Sequence, residues 1–227
     1  AAATYGTDKA IFAYGHTTGQ VSMSNLVNNS GVVAADVTGV GSARNEFDAA
    51  SYGGQAAGTA IFAYGHTGSV TAVSNLVSNS GVIASDVTGV GTARSALAAA
   101  GYGTDKAIFG YGYAGGNVSM SNLVSNSGVV AADVSGVGTA RRTLSASSYG
   151  EDKALFAYGN NGGVSSLKNL VNNSGVVAAD VTGVGTARYS LAACGYGGDK
   201  AVFAYGDTGS IVSLKNLVNN SGVVAAD

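Results

Sequence analysis

Titratable side chains are scarce in this sequence: 11 Lys and Arg, 13 Asp and Glu, two His and one Cys among 227 residues. Most recur at fixed places, as four Asp-Lys pairs (Asp8-Lys9, Asp105-Lys106, Asp152-Lys153, Asp199-Lys200), five Asp (Asp36, Asp86, Asp133, Asp180, Asp227) and four Arg (Arg44, Arg94, Arg141, Arg188). Recurrence marks them as framework. Chemistry is left to Glu46, Asp48, Arg142, Glu151, Lys168, Asp207 and Lys215. General acid–base catalysis needs titratable groups within hydrogen-bond reach of one reacting atom, and these seven form no recognisable carboxylate pair. The expectation is a protein that is not an enzyme.

Metal and cofactor chemistry finds no better footing. His16 and His66 hold one equivalent position, where other copies of the same string have Tyr113, Asn160 and Asp207. A zinc site would need both histidines together with further ligands, so they read as surface residues. Cys194 is alone, which rules out a disulfide within the chain and a thiolate cluster. It fills a slot held elsewhere by Ala50, Ala100 or Ser147 and reads as a buried small residue. The five recurring Asp read as turn caps; only on a central channel would they offer a cation a ring of oxygens. Strings such as Gly39-Val40-Gly41 lead into no helix and cannot seat a phosphate on a helix N-terminus. The sequons at Asn28, Asn117, Asn172 and Asn219 follow from Asn/Ser turn chemistry. No cofactor and no metal are expected.

Composition narrows the partners. The chain has 36 Gly, no Pro, no Trp and 11% charged residues, against average usage of roughly 7% Gly and 25% charged. A net charge of −2 supplies neither the basic field that draws a protein to nucleic acid nor a polybasic patch for anionic lipid. No run approaches the 18 or so apolar residues of a membrane span, and Ala1 does not open a signal peptide. Nucleic acid and membrane insertion are therefore not expected.

The elements that must position these residues come from a repeat. Phe-Ala/Gly-Tyr-Gly begins at Phe12, Phe62, Phe109, Phe156 and Phe203, and Asn-Leu-Val at Asn25, Asn75, Asn122, Asn169 and Asn216, both stepping by 50, 47, 47 and 47. The three extra residues lie in Gly53 to Thr59, which reads as a loop. Each repeat offers four short strand candidates, in the third copy LAAAGYG, KAIFGYG, NVSMSNLV and GVVAADV. Between them stand Gly-Thr-Asp, a Gly-rich loop, Asn-Ser-Gly and Gly-Val-Gly, which suit tight reversals. Strict alternation places Ala10, Phe12 and Tyr14 on one face and Ile11 and Ala13 on the other. Both faces are apolar, as in a strand sandwiched between sheets. Four-stranded units at this spacing are the signature of propeller blades; a β-solenoid is the competing reading, but its coils are usually shorter and neither end of the chain reads as an atypical capping repeat. The predicted fold is a single all-β domain over 1–227, a five-bladed β-propeller with four antiparallel strands per blade and a period of about 47 residues, its repeats running approximately 1–40, 41–90, 91–137, 138–184 and 185–227.

With an Arg opening each repeat (Arg44, Arg94, Arg141, Arg188), strands ending in Tyr-Gly (Tyr14-Gly15, Tyr64-Gly65) and a period near 50, the chain resembles the kelch class of propeller. Its GVGTAR, LAAAGYG and DKAIFGYG phrasing is similar to the low-complexity kelch-like repeats of bacteriophage virion and tail proteins. Its blade count and repeat length look like those of five-bladed lectin propellers of the tachylectin type. It departs from kelch in lacking a Trp, and its lone Cys and two His do not match the copper site of the galactose oxidase type. The resemblance implies surface recognition, with glycans, a host receptor or other virion proteins as partners and an extracellular or virion-surface location.

Comparison among the repeats points to where a ligand would sit. The strands barely change, whereas the loop between the second and third segments reads HTTGQ, HTGS, YAGGN, NNGG and DTGS. Variable polar loops on a rigid scaffold commonly carry binding residues. The candidates are His16, Thr17, His66, Thr67, Tyr113, Asn117, Asn160, Asn161, Asp207 and Thr208. Two roles are open: a carbohydrate or cell-surface recognition module, or a structural, decorating domain that binds protein.

Overall fold

The computed structural model describes residues 1–54 and 58–227 and is all-β. Among these residues, fifteen strands form five antiparallel sheets of three, one per repeat. The first sheet holds β1 (Ala2–Tyr5), β2 (Lys9–His16) and β3 (Gln20–Val27); the second β4 (Asp48–Tyr52), β5 (Thr59–Ala63) and β6 (Ser74–Val77). The third holds β7 (Ala98–Tyr102), β8 (Lys106–Gly110) and β9 (Ser121–Val124), and the fourth β10 (Ser145–Tyr149), β11 (Lys153–Asn160) and β12 (Val164–Val171). The fifth holds β13 (Ala192–Tyr196), β14 (Lys200–Ala204) and β15 (Lys215–Val218). Residues Gln55–Ala57 of the expected insertion loop lie outside the described residues.

Each sheet is a meander with its middle strand apolar on both faces, as the sequence predicts, but it has three strands rather than four. The fourth segment is attached only by isolated bridges, such as Ser121↔Val134 and Val124↔Val130. The reason lies in one recurring Asn per repeat, buried in the second to the fifth. Asn122 Nδ2 donates to the Ala131 carbonyl at 3.0 Å and to Asp133 Oδ1 at 2.9 Å. A side chain thus takes acceptors along this segment, and the regular ladder cannot continue between the two bridges. Asn75, Asn169 and Asn216 repeat the arrangement.

From the second repeat on, the recurring Asp then ties the end of its repeat to the linker residue that opens it. Asp133 accepts from the Thr92 amide and from Thr92 Oγ1 at 2.7 Å, and Asp86, Asp180 and Asp227 do the same with Ser42, Thr139 and Thr186. Burial alone would raise the Asp133 carboxyl, but these hydrogen bonds, with those from Asn122, outweigh it and hold the group below its ordinary range. A side chain on Gly91, at φ +76°, would collide with Asp133 Oδ1, which is why the linker carries Gly at that point.

Sheets stack in chain order through their first strands. β1 touches β4, β4 touches β7, β7 touches β10 and β10 touches β13, and each also meets the middle strand of the next sheet. Four apolar clusters fill the spaces between consecutive sheets. Here the alternation expected from sequence fails at one residue. Tyr14, Tyr64, Tyr111, Tyr158 and Tyr205 all hold positive φ, between 57° and 65°. This breaks the pleat, visible as a register shift after Ala13 and again after Ala157. The Tyr ring therefore leaves the Phe face and joins Ile11 and Ala13, pointing at the next sheet.

That conformation costs roughly 1 kcal/mol or more per non-Gly residue, and the surroundings show what offsets it. Tyr111 meets Phe156 of the next sheet edge-on, with centroids 5.2 Å apart. Arg141, from the linker into that sheet, lies over the Tyr111 ring at 4.2 Å. The Tyr111 hydroxyl donates to the Val137 carbonyl in the Gly-Val-Gly linker, and burial pushes its pKa up to about 12. Arg141 is fully buried, donating Nε to the Tyr158 carbonyl at 2.9 Å and Nη2 to Asn169 Oδ1 at 2.7 Å. Arg44, Arg94 and Arg188 lie over Tyr14, Tyr64 and Tyr158 in the same way.

The two outer faces of the stack remain open. Phe12, equivalent to the fully buried Phe62, Phe109, Phe156 and Phe203, is 49% exposed. On the last sheet Tyr205 is 63% exposed where Tyr111 and Tyr158 are 1%. Cys194 belongs to this open face and is exposed, contrary to expectation. Its equivalents Ala50, Ala100 and Ser147 are buried because a following sheet covers them.

Candidate recognition cleft

Three positions per repeat gather at one end of the stack. The segment leading into each first strand pairs with the residue after Tyr-Gly through single bridges: Asn45 with His66, Ser95 with Tyr113, Arg142 with Asn160, and Tyr189 with Asp207. The next residue along, Glu46, Ala96, Thr143 or Ser190, also holds positive φ, from 49° to 53°. This geometry aims main-chain groups from sheet to sheet. The Ala96 amide donates to the Glu46 carbonyl at 2.8 Å, Thr143 to Ala96 at 2.8 Å and Ser190 to Thr143 at 2.9 Å. A belt of backbone hydrogen bonds therefore crosses four repeats without using any side chain.

A cleft of about 790 Å³ opens over this belt. Phe47, Leu97 and Leu144 give it an apolar floor, and Glu46, His66, Ser95, Tyr113, Arg142 and Ser190 give it polar walls. Of the residues chosen from sequence, it brings together His66 and Tyr113. Asn160 and Asp207 sit at the equivalent rim positions, where Asn160 Oδ1 accepts from the Gly162 amide and Asp207 Oδ1 from the Gly209 amide. Asn117 Nδ2 donates to the Asn160 carbonyl at 3.0 Å, linking the third and fourth loops. Thr17, Thr67, Asn161 and Thr208 use their amides or hydroxyls to close their own tight turns. His16 is exposed on the first repeat.

Donor and acceptor roles in the cleft can be read from its contacts. His66 Nδ1 accepts from the Gly68 amide at 3.3 Å, so in the neutral ring the proton sits on Nε2, which is left as a donor. Ser95 Oγ donates to Glu46 Oε2 at 2.8 Å. The Arg142 guanidinium lies over the Tyr113 ring at 4.8 Å.

Glu46, Ser95, Arg142 and Ser190 do not stand out as binding residues in the sequence, although the signal is there. The three residues after the framework Arg read Asn-Glu-Phe, Ser-Ala-Leu, Arg-Thr-Leu and Tyr-Ser-Leu, as variable as the loops themselves. Attention to the loops alone misses a second variable segment that folds against them. Among the described residues no group of three His, Cys, Asp or Glu is placed to hold a metal, and no helix is long and apolar enough to cross a membrane. No protein-family model matches the chain, and a search of curated proteins finds no match.

Proposed function

We propose that the chain is a non-enzymatic recognition module, acting at a cell or virion surface, that binds carbohydrate in the cleft at the variable end of a propeller-type scaffold. The observation that carries this reading is the placement of variation. Two segments that differ from repeat to repeat, distant in sequence, converge on one cleft, while the Phe, Tyr and Arg packed between the sheets recur. The cleft's mixture of apolar floor and separate hydrogen-bonding side chains suits a ligand with a hydrophobic ring face and a polar edge. The blade reading is supported by the first strands touching in succession while the third strands make little contact, a fanned arrangement.

The test is a glycan array probed with the purified protein, followed by titration of any ligand found. Tyr113→Ala and His66→Ala should each weaken binding by about tenfold, on the order of 1.4 kcal/mol, without lowering the melting temperature. Silence across a broad array, or variants that bind as well as the parent, would overturn the reading.

A second reading is favoured by the open end faces. Exposed apolar surface of this kind marks interaction sites, and Phe12, Tyr205 and Ile211 provide it at the two ends. In this reading the chain is a structural domain held in a larger assembly, such as a virion, by protein contacts. Concentration-dependent association in sedimentation, abolished by Tyr205→Glu, would favour it.

A further inference from the structure

Resting on the recognition reading above, we propose that the cleft is built for an acidic sugar, a ring bearing a carboxylate beside free hydroxyls. The argument starts from two opposite charges that line one cleft without meeting. Arg142 and Glu46 both face it, yet among the described residues neither enters an ion pair. Protein charges left unpaired in one cleft are available to a ligand that carries complementary groups at matching places.

Arg142 is the sharper half of the pair. Its equivalents are Asn45, Ser95 and Tyr189, so its charge serves no framework role shared by the repeats. Its backbone is fixed by reciprocal hydrogen bonds with Asn160, at 3.0 and 2.8 Å. Its guanidinium lies over the Tyr113 ring, 4.8 Å from the centroid. Stacking occupies the π-face and leaves the in-plane N–H groups free, the arrangement that grips a carboxylate by two parallel bonds. Contrast the framework Arg141 and Arg188, also stacked on Tyr, whose in-plane donors are taken by carbonyls and Asn side chains. Arg142 has the same stack with no acceptor supplied among the described residues.

Glu46 completes the set from the other side. One carboxylate oxygen takes the Ser95 hydroxyl, and the remaining lone pairs can accept from sugar hydroxyls. His66 Nε2 adds a donor for a ring or hydroxyl oxygen. A neutral sugar would leave Arg142 without a partner, and a simple anion would leave Glu46 facing like charge. A carboxylated sugar satisfies both.

Calorimetric titration of the 227-residue protein with a glucuronic-acid-terminated disaccharide, and with the same disaccharide after reduction of the carboxyl to hydroxymethyl, tests this directly. The acidic ligand is expected to bind at least about tenfold more tightly, the scale of one charge-assisted bidentate contact. Arg142→Gln should erase that preference and Arg142→Lys should keep part of it; Glu46→Gln should weaken both ligands alike. Sialyllactose against lactose, run in parallel, reports whether a carboxylate at a different ring position is accepted as well. Equal affinity for acidic and reduced disaccharides, or a preference unchanged in Arg142→Gln, overturns the acidic-sugar proposal while leaving carbohydrate recognition standing. Absence of binding to every sugar overturns both. Melting temperatures of the variants, expected to match the parent because the Arg142 guanidinium bonds to no framework group, separate lost recognition from lost folding.

Discussion

Tyr111 shows how a single backbone torsion organises this protein. In the extended conformation its ring would share the face of Phe109; at a φ of 63° it crosses to the opposite face and becomes the floor on which the next repeat's Arg is laid. The Tyr-Gly string makes a turn legible in the sequence, and the Gly does hold positive φ, but nothing in the sequence marks the Tyr before it as left-handed too. Tyr is rarely found there, and only the packed neighbours reveal why it is tolerated. Asp48 is a second residue whose behaviour the sequence conceals. Alone among its equivalents it is acidic, and its carboxylate accepts from the Ala49 amide at 2.9 Å and from the Ala99 amide of the next sheet at 2.8 Å. Burial raises its pKa to about 6, the two amides only partly opposing the shift. A carboxyl raised in the folded state binds more protons there than when unfolded, so its contribution falls as pH rises through the interval from about 4 to 6. Asp48→Asn should remove this dependence, with the two proteins' stability difference changing by about 2 kcal/mol between roughly pH 3.5 and 7. Superimposable slopes in urea denaturation across that range would show that Asp48 titrates normally. The framework Asp act in the opposite sense: depressed by their hydrogen bonds, they lose their contribution as the solution is acidified through their folded pKa values.

At the scale of the element, the middle strands are the most legible part of the chain. Their two apolar faces and flanking turns are local properties, and β8 matches the expected segment closely. The fourth segment misleads because its own sequence, Gly-Val-Val-Ala-Ala-Asp-Val, looks like a strand; the ladder is prevented by an Asn on the neighbouring strand that takes its acceptors. Burial of an element likewise depends on whether another sheet packs over it. Phe109 and Phe12 sit in the same position of the same sequence pattern, yet one is fully enclosed and the other half open. Phe109→Ala should cost about 3–5 kcal/mol through loss of buried area and the cavity left behind, whereas Phe12→Ala should cost under about 1 kcal/mol. Comparable losses in chemical denaturation of the two variants would mean that the first sheet is covered in solution. The candidate site divides similarly: the loops are visibly variable, while the inner segment with Glu46 and Arg142 is hidden beside a framework Arg.

Among the described residues, the main contacts between sheets run between neighbours. Each interior sheet packs against the one before and the one after through clusters that span two repeats. Stability in such arrays is roughly a sum of unit and interface contributions, and openings start where an interface is missing. Hydrogen exchange should accordingly be slowest in β5, β8 and β11 and fastest in β2 and β14, by about 2 kcal/mol or more in opening free energy. Uniform protection across all five middle strands would indicate that the end faces are occupied in solution.

The belt through Glu46, Ala96, Thr143 and Ser190 is made of main-chain atoms alone, and the bonds that join sheet to sheet recur at a fixed spacing. A gene encoding such a chain can exchange one 47-residue unit for another in frame and leave the main-chain bonds of the belt with partners of the same kind. The set of side chains around the rim is then replaced, several at once. If the rim is the recognition surface proposed above, recombination between repeats becomes a means of rewriting specificity, with the fold serving as a grammar that accepts many words.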